Sequence, residues 1–104
     1  MSTQEEDPSA RLAIVTGAGS PSGIGFATAA RLARAGYQVL LTGLSARVHE
    51  RAAELTAAGH GAHAFTGDLA DEAAVRALAA AAQSTGLPVT ALVNNAGMAV
   101  LGQL

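Results

Sequence analysis

The chain has no cysteine and no lysine, its whole aromatic content is two phenylalanines and one tyrosine, and only 13% of its 104 residues are charged. Without cysteine there is no disulfide framework, no thiolate zinc site and no cysteine nucleophile. Without lysine there is no kinase-type phosphate loop, whose last glycine must be followed by that residue. The six basic residues are all arginine, dispersed along a chain of formal charge −2, so no basic surface for nucleic acid or for an anionic membrane is expected. No stretch approaches the roughly 18 apolar residues of a membrane span. The opening MSTQEEDPSA is acidic and polar where a secretory signal is basic and then apolar, so a cytoplasmic protein is expected.

What is present is apolar and small. Half of the residues are hydrophobic, largely alanine, which argues against disorder but gives each buried residue little surface to remove from water. The length allows one domain and not two. Residues 1–10 read as a mobile tail in which Pro8 opposes a helix, leaving 11–104 as the domain.

Along that domain the pattern alternates. LAIVT, residues 12–16, is a short continuous apolar run, suited to a strand covered on both faces. Gly25, Ala29, Leu32 and Gly36 then recur at helical spacing, predicting a helix of about three turns that ends at a glycine. QVLLTG (38–43) reads as a second strand, and 46–58 as a helix with Val48 and Leu55 inward and Gly59 as its stop. AHAFTG (62–67) is a third strand. An alanine-rich helix follows from Asp71 to Ser84, with Val75, Leu78 and Ala82 on one face, Asp68 or Asp71 as its cap, and Gly86-Leu87-Pro88 as its end. TALVNNAG (90–97) is a fourth strand. Strands alternating with helices at these lengths predict an α/β fold, a parallel sheet with helices on both faces.

TGAGSPSGIG, residues 16–25, lies where the first strand opens into the first helix. In a doubly wound fold, glycines here permit a tight turn and a close approach of backbone to a pyrophosphate facing the helix N-terminus. A lone glycine motif is more often a plain strand-to-helix turn. The simplest G-x-G-x-x-G spacing also fails, since its third glycine falls on Ser22.

The context changes the balance. T-G followed by G-I-G after the first strand, GDLAD (67–71) after the third and NNAG (94–97) ending the fourth together resemble the cofactor half of the short-chain dehydrogenase/reductase family over residues 11–98. The resemblance implies a Rossmann-type sheet in the order 3-2-1-4 that stops after its fourth strand. It implies that Gly17, Ser22, Gly23, Ile24 and Gly25 form the phosphate loop, with the Ile24 amide near the pyrophosphate. Asp68 and Leu69 then meet the adenine, while Asn95, Ala96 and Gly97 line the ribose. The family usually places three residues between the first glycine and G-x-G; Ala18 to Ser22 make five here, lengthening the loop. Other readings stay open for single residues: Asp68 as a helix cap, Asn94 and Asn95 as turn residues.

A carboxylate near the end of the second strand binds the ribose 2′-hydroxyl of NAD. Here Gly43 holds that position in LTGLSAR, with Ser45 and Arg47 close by to receive a phosphate. NADP is therefore expected, with NAD as the alternative and Arg47 as a solvated helix residue in that case. The family's catalytic tyrosine, the lysine four residues after it and a serine have no counterpart: Tyr37 is followed by Gln38, Val39, Leu40 and Leu41, and no catalytic residue is assigned. His49, His60 and His63 lack metal-ligand spacing and read as surface residues, so no metal is expected.

Three expectations follow for the whole. The first is the N-terminal, cofactor-binding part of an NADP-dependent short-chain oxidoreductase, as a truncated product or a partial gene model. The second is a non-catalytic nucleotide-binding or interaction module that forms homo-oligomers or pairs through an exposed fourth strand. The third is a remnant that does not fold alone.

Overall fold

A computed structural model describes residues 10–95, so residues 1–9 of the expected N-terminal tail and the sites at Ala96 and Gly97 lie outside the described residues. Four strands, β1 (Leu12–Val15), β2 (Gln38–Gly43), β3 (Ala62–Thr66) and β4 (Val89–Val93), alternate with three helices, α1 (Ile24–Arg34), α2 (Arg47–Ala57) and α3 (Glu72–Ser84). The sheet runs β3-β2-β1-β4 and every pairing is parallel. The expected architecture and order are thus observed. The fourth strand ends sooner than its sequence predicts, at Val93, which leaves Asn94 and Asn95 beyond its carboxyl end.

Alternation along β1 and β2 sends successive side chains to opposite sides of the sheet. Ala13, Val15, Val39 and Leu41 meet Ala29 and Ala33 of α1 and Val48 and Leu55 of α2. Leu12, Ile14 and Leu40 meet Leu78 and Ala82 of α3. All four residues of β1 are buried, which explains its unbroken apolar run. Val75 departs from its expected place. It is exposed rather than inside, and among the described residues α3 is the one helix packed on its side of the sheet.

Helix termini follow local chemistry. At the ends of α1 and α2 the amides of Gly36 and Tyr37 return to Ala33 and Leu32, and those of Gly59 and His60 to Thr56 and Leu55. With Gly36 at φ 103° and Gly59 at φ 93°, both ends close in the same left-handed cap that only glycine enters without strain. The periodic reading of α2 misses Arg51, which is buried. Its guanidinium lies 2.6 Å from a Glu54 carboxylate oxygen and 5.9 Å from the Phe26 ring centroid of α1, so its charge is paired where it is shielded from water.

The two candidate caps of α3 divide their roles. Asp71 is the N-cap, its Oδ1 accepting from the Ala73 amide at 3.0 Å, whereas Asp68 Oδ1 accepts from the Ala70 amide in the preceding turn, also at 3.0 Å. Asp71→Ala is expected to destabilise the chain by about 1 kcal/mol in urea denaturation. Asp68→Ala is expected to cost less, since it removes no helix cap.

Candidate functional site: a crevice at the strand ends

The chain runs from β1 outward through β2 to β3, then crosses to the other side of β1 for β4. Connections on the two sides of β1 therefore leave in opposite directions, opening a gap at the carboxyl ends of the strands. A crevice of about 670 Å³ lies there. Each strand contributes its end: Thr16 and Gly17 after β1, Thr42 to Leu44 at β2, Gly67 to Ala70 after β3, and Asn94 after β4. Val75, Leu78 and Leu92 form an apolar wall.

Three of these ends are the same dipeptide: Thr16-Gly17, Thr42-Gly43 and Thr66-Gly67 close β1, β2 and β3 in turn. All three glycines line the crevice, so much of its floor is bare backbone. The threonines secure the margins. Thr16 Oγ1 accepts from the Asn95 amide at 2.8 Å and donates to Asn94 Oδ1 at 3.1 Å, and Thr66 Oγ1 donates to the Ser45 carbonyl at 3.3 Å.

The expanded glycine loop is folded rather than loose. Its Ala18 amide donates to the Thr42 carbonyl at 2.9 Å, and the Gly23 amide closes a turn on the Ser20 carbonyl at 3.2 Å, with Pro21 and Ser22 at the tip. Proline presets the backbone of such a turn. Helix α1 then begins with Gly23 as its N-cap, no side-chain cap and no acidic residue in its first turn. Its positive end thus has neither a capping side chain nor a first-turn acid, unlike that of α3.

Of the expected site residues, the crevice gathers Gly17, Asp68 and Leu69. Ser22, Gly23 and Ile24 stand at the loop tip and helix start beside it, Ile24 being 67% exposed. Gly25 is buried beneath the loop. Ser45 and Arg47 are exposed just past the end of β2, where Ser45 Oγ accepts from the Arg47 amide at 3.3 Å. Asn95 is not on the crevice wall; its side chain lies over Gly25. Sequence reasoning overlooked Thr16, Thr42 and the Leu92 wall, and the recurrent Thr-Gly at strand ends is the signal that finds the first two. Tyr37 closes the far end of α1. Of the three histidines, His63 Nε2 lies 3.1 Å from Gln38 Oε1 on the sheet, and no cluster of metal-ligating side chains occurs among the described residues. No helix among them is long and apolar enough to cross a membrane.

Residues 11–104 match the family model described as short chain dehydrogenase. The 1-deoxy-11-beta-hydroxypentalenate dehydrogenase of Streptomyces exfoliatus is 45% identical over 89 residues, which cover 85% of this chain and 32% of that protein. Oxidoreductase UcpA of Salmonella typhimurium is 38% identical over 92 residues, covering 88% of this chain and 34% of that protein. The chain therefore spans about a third of the length of the curated relatives it matches. Among solved structures, a metagenomic short-chain oxidoreductase in complex with NADP superposes with a TM-score of 0.78 at 34% identity, over 89% of this chain and 42% of that one. A variant of actinorhodin polyketide ketoreductase with NADPH gives 0.77 at 38% identity, over 84% and 33%.

Packing beneath the loop is tight at one point. A Cβ on Gly25 would stand 2.5 Å from the Gly17 carbonyl oxygen and 2.7 Å from Asn95 Nδ2. Gly25→Ala is expected to lower stability by about 1–3 kcal/mol, read as a fall in thermal midpoint. An unchanged midpoint contradicts this packing.

Proposed function

This chain belongs to the short-chain dehydrogenase family, and from that membership we propose that it forms the dinucleotide-binding part of an oxidoreductase that uses NADP(H). The observation that carries the reading is the bare N-terminus of α1 beside a glycine-floored crevice: no side-chain cap, no acid in the first turn and no side chains at Gly17, Gly43 or Gly67. Such an end favours an anionic group, and such a floor admits a flat ligand against backbone. A pyrophosphate and an adenosine have those two properties.

The residues divide the binding between them. Gly17, Ser22, Gly23, Ile24 and the α1 terminus hold the pyrophosphate through backbone amides, with Gly25 giving the room that turn needs. The free Asp68 oxygen accepts from the adenine amino group beside Leu69. Asn95, Ala96 and Gly97 take the ribose side, by family resemblance. At the other end of the adenosine the absence of a carboxylate at Gly43 removes repulsion, and Arg47 with Ser45 receives a 2′-phosphate. Among the described residues the Arg47 guanidinium makes no salt bridge, leaving it available.

When bound, the nicotinamide supplies hydride for exchange between a carbonyl and an alcohol. These 104 residues hold no lysine, and their one tyrosine, Tyr37, sits at the end of α1 away from the crevice. In binding titrations Arg47→Ala is expected to weaken NADPH by roughly ten- to a hundredfold, in line with about 1.5–3 kcal/mol for a charge-assisted hydrogen bond, and to leave NADH unchanged. Equal losses for both cofactors refute the assignment of Arg47.

A second reading concerns association. Among the described residues β4 stands at the edge of the sheet and carries no charged residue, and Val89 and Leu92 on it are 46% and 65% exposed, a combination that favours pairing with another copy. On this reading Leu92→Lys shifts the chain to a smaller species in sedimentation, whereas a wild-type monomer at all concentrations refutes it.

A further inference from the structure

Stability alone does not call for an arginine at position 51. Arg51 is 7% exposed, yet the carboxylates that hold its Nη2, Glu54 at 2.6 Å and Glu50 at 3.5 Å, stand at the surface with their side chains 50% and 69% exposed. Its Nε has no hydrogen-bond partner among the described residues. A buried donor left without an acceptor is unfavourable, and an apolar side chain of similar volume in place of a buried ion pair is often as stable or more so. The reason for a guanidinium here is sought in what it touches.

It touches the first turn of α1. The guanidinium carbon lies over the Phe26 ring, 5.9 Å from its centroid, within reach of a cation–π contact. Phe26 is the third residue of α1. The helical ladder opens with the Ala27 amide on the Gly23 carbonyl at 3.1 Å, so the amides of Ile24, Gly25 and Phe26 precede it and have no acceptor within the helix. These are the amides that an anion at this end of α1 meets. Phe26 thus offers its amide toward the ligand while its ring packs against the core shared by α1 and α2, under the Arg51 guanidinium.

We propose that Arg51 is a positioning residue for the pyrophosphate: acting through Phe26, it fixes how α1 presents its leading amides, and it touches no cofactor itself. The inference rests on the dinucleotide reading above. Charge is not the means, since Glu50 and Glu54 offset the guanidinium at close range; the effect is one of orientation, as for any residue that supports a binding group from behind. NADPH and NADH share the pyrophosphate, so Arg51 serves both alike. That separates it from Arg47.

Titrations of the full chain with both cofactors, well below its thermal midpoint, test this role. Arg51→Met is expected to weaken NADPH and NADH by the same factor, about three- to tenfold, with the midpoint within a few degrees of the wild type. Phe26→Leu is expected to do the same, and the double variant to lose no more than either single one, because the two side chains act as a unit. Asp71→Ala is the control: it lowers stability from the other face of the sheet and is expected to leave both affinities unchanged. Unchanged affinities in Arg51→Met, a loss confined to NADPH, additive losses in the double variant, or an equal loss in Asp71→Ala each overturn the proposal. If wild-type chain binds neither cofactor, the dinucleotide reading fails, and backbone NMR relaxation still decides whether Arg51 holds the start of α1: lower order parameters at residues 24–26 in Arg51→Met support that hold, and unchanged ones overturn it. Should Arg51→Met not fold, Arg51→Lys, which keeps the charge and loses the flat face, takes its place in both measurements.

Discussion

One hydroxyl ties the end of β1 to the residues that follow β4. Thr16 Oγ1 accepts the Asn95 amide, 79 residues away in sequence, and donates to Asn94. It thereby fastens the end of β1 to the end of β4 across the point where the chain reverses direction in the sheet. Each bond contributes on the order of 1 kcal/mol, but their placement matters more than their sum. The Thr16 amide also donates to the Val93 carbonyl at 3.0 Å, so backbone and side chain of one residue fix the mouth of the crevice.

From it the division of labour between the sheet faces follows. The α1/α2 face is closed, with fully buried Ala13, Val15, Val39, Leu41 and Val48, and it carries the loop on a rigid base. The α3 face is covered only in part, which leaves Leu92 and Val75 on the crevice wall. The two helix starts contrast in the same sense. α3 satisfies its own N-terminus with Asp71, whereas α1 offers no such carboxylate. Self-capping is what a structural helix does, and a bare start is what an anion site needs.

Most of this is legible in the residues alone. The three helices and their glycine stops follow from apolar runs and the punctuation at Gly36, Gly59 and Gly86, because left-handed caps are a local demand, and the strand order follows from the motifs at the strand ends. Burial at Val48 and Leu55 is equally plain. What escapes the sequence is what depends on which elements lie opposite one another. Val75 has the same spacing as Leu78 and Ala82 yet is exposed, since periodicity names a face without saying how much of it is covered. Arg51 carries no signal of burial in the sequence, and only Phe26 and Glu54 beside it account for its place inside. Asn95 is expected beside the ribose from the family resemblance, and its packing on Gly25 is what its motif alone does not tell.

The crevice floor is made of backbone at three successive Thr-Gly ends, and this changes how such a site responds to genetic variation. Its hydrogen-bonding groups are peptide amides and carbonyls, which truncating a side chain leaves in place. Truncation to alanine, the usual probe of a binding surface, has nothing to truncate at positions 17, 43 and 67. Loss of function there comes by gain of volume, through a methyl group or anything larger. A survey of this chain by side-chain deletion would therefore pass over its crevice floor, and a survey by side-chain enlargement would find it.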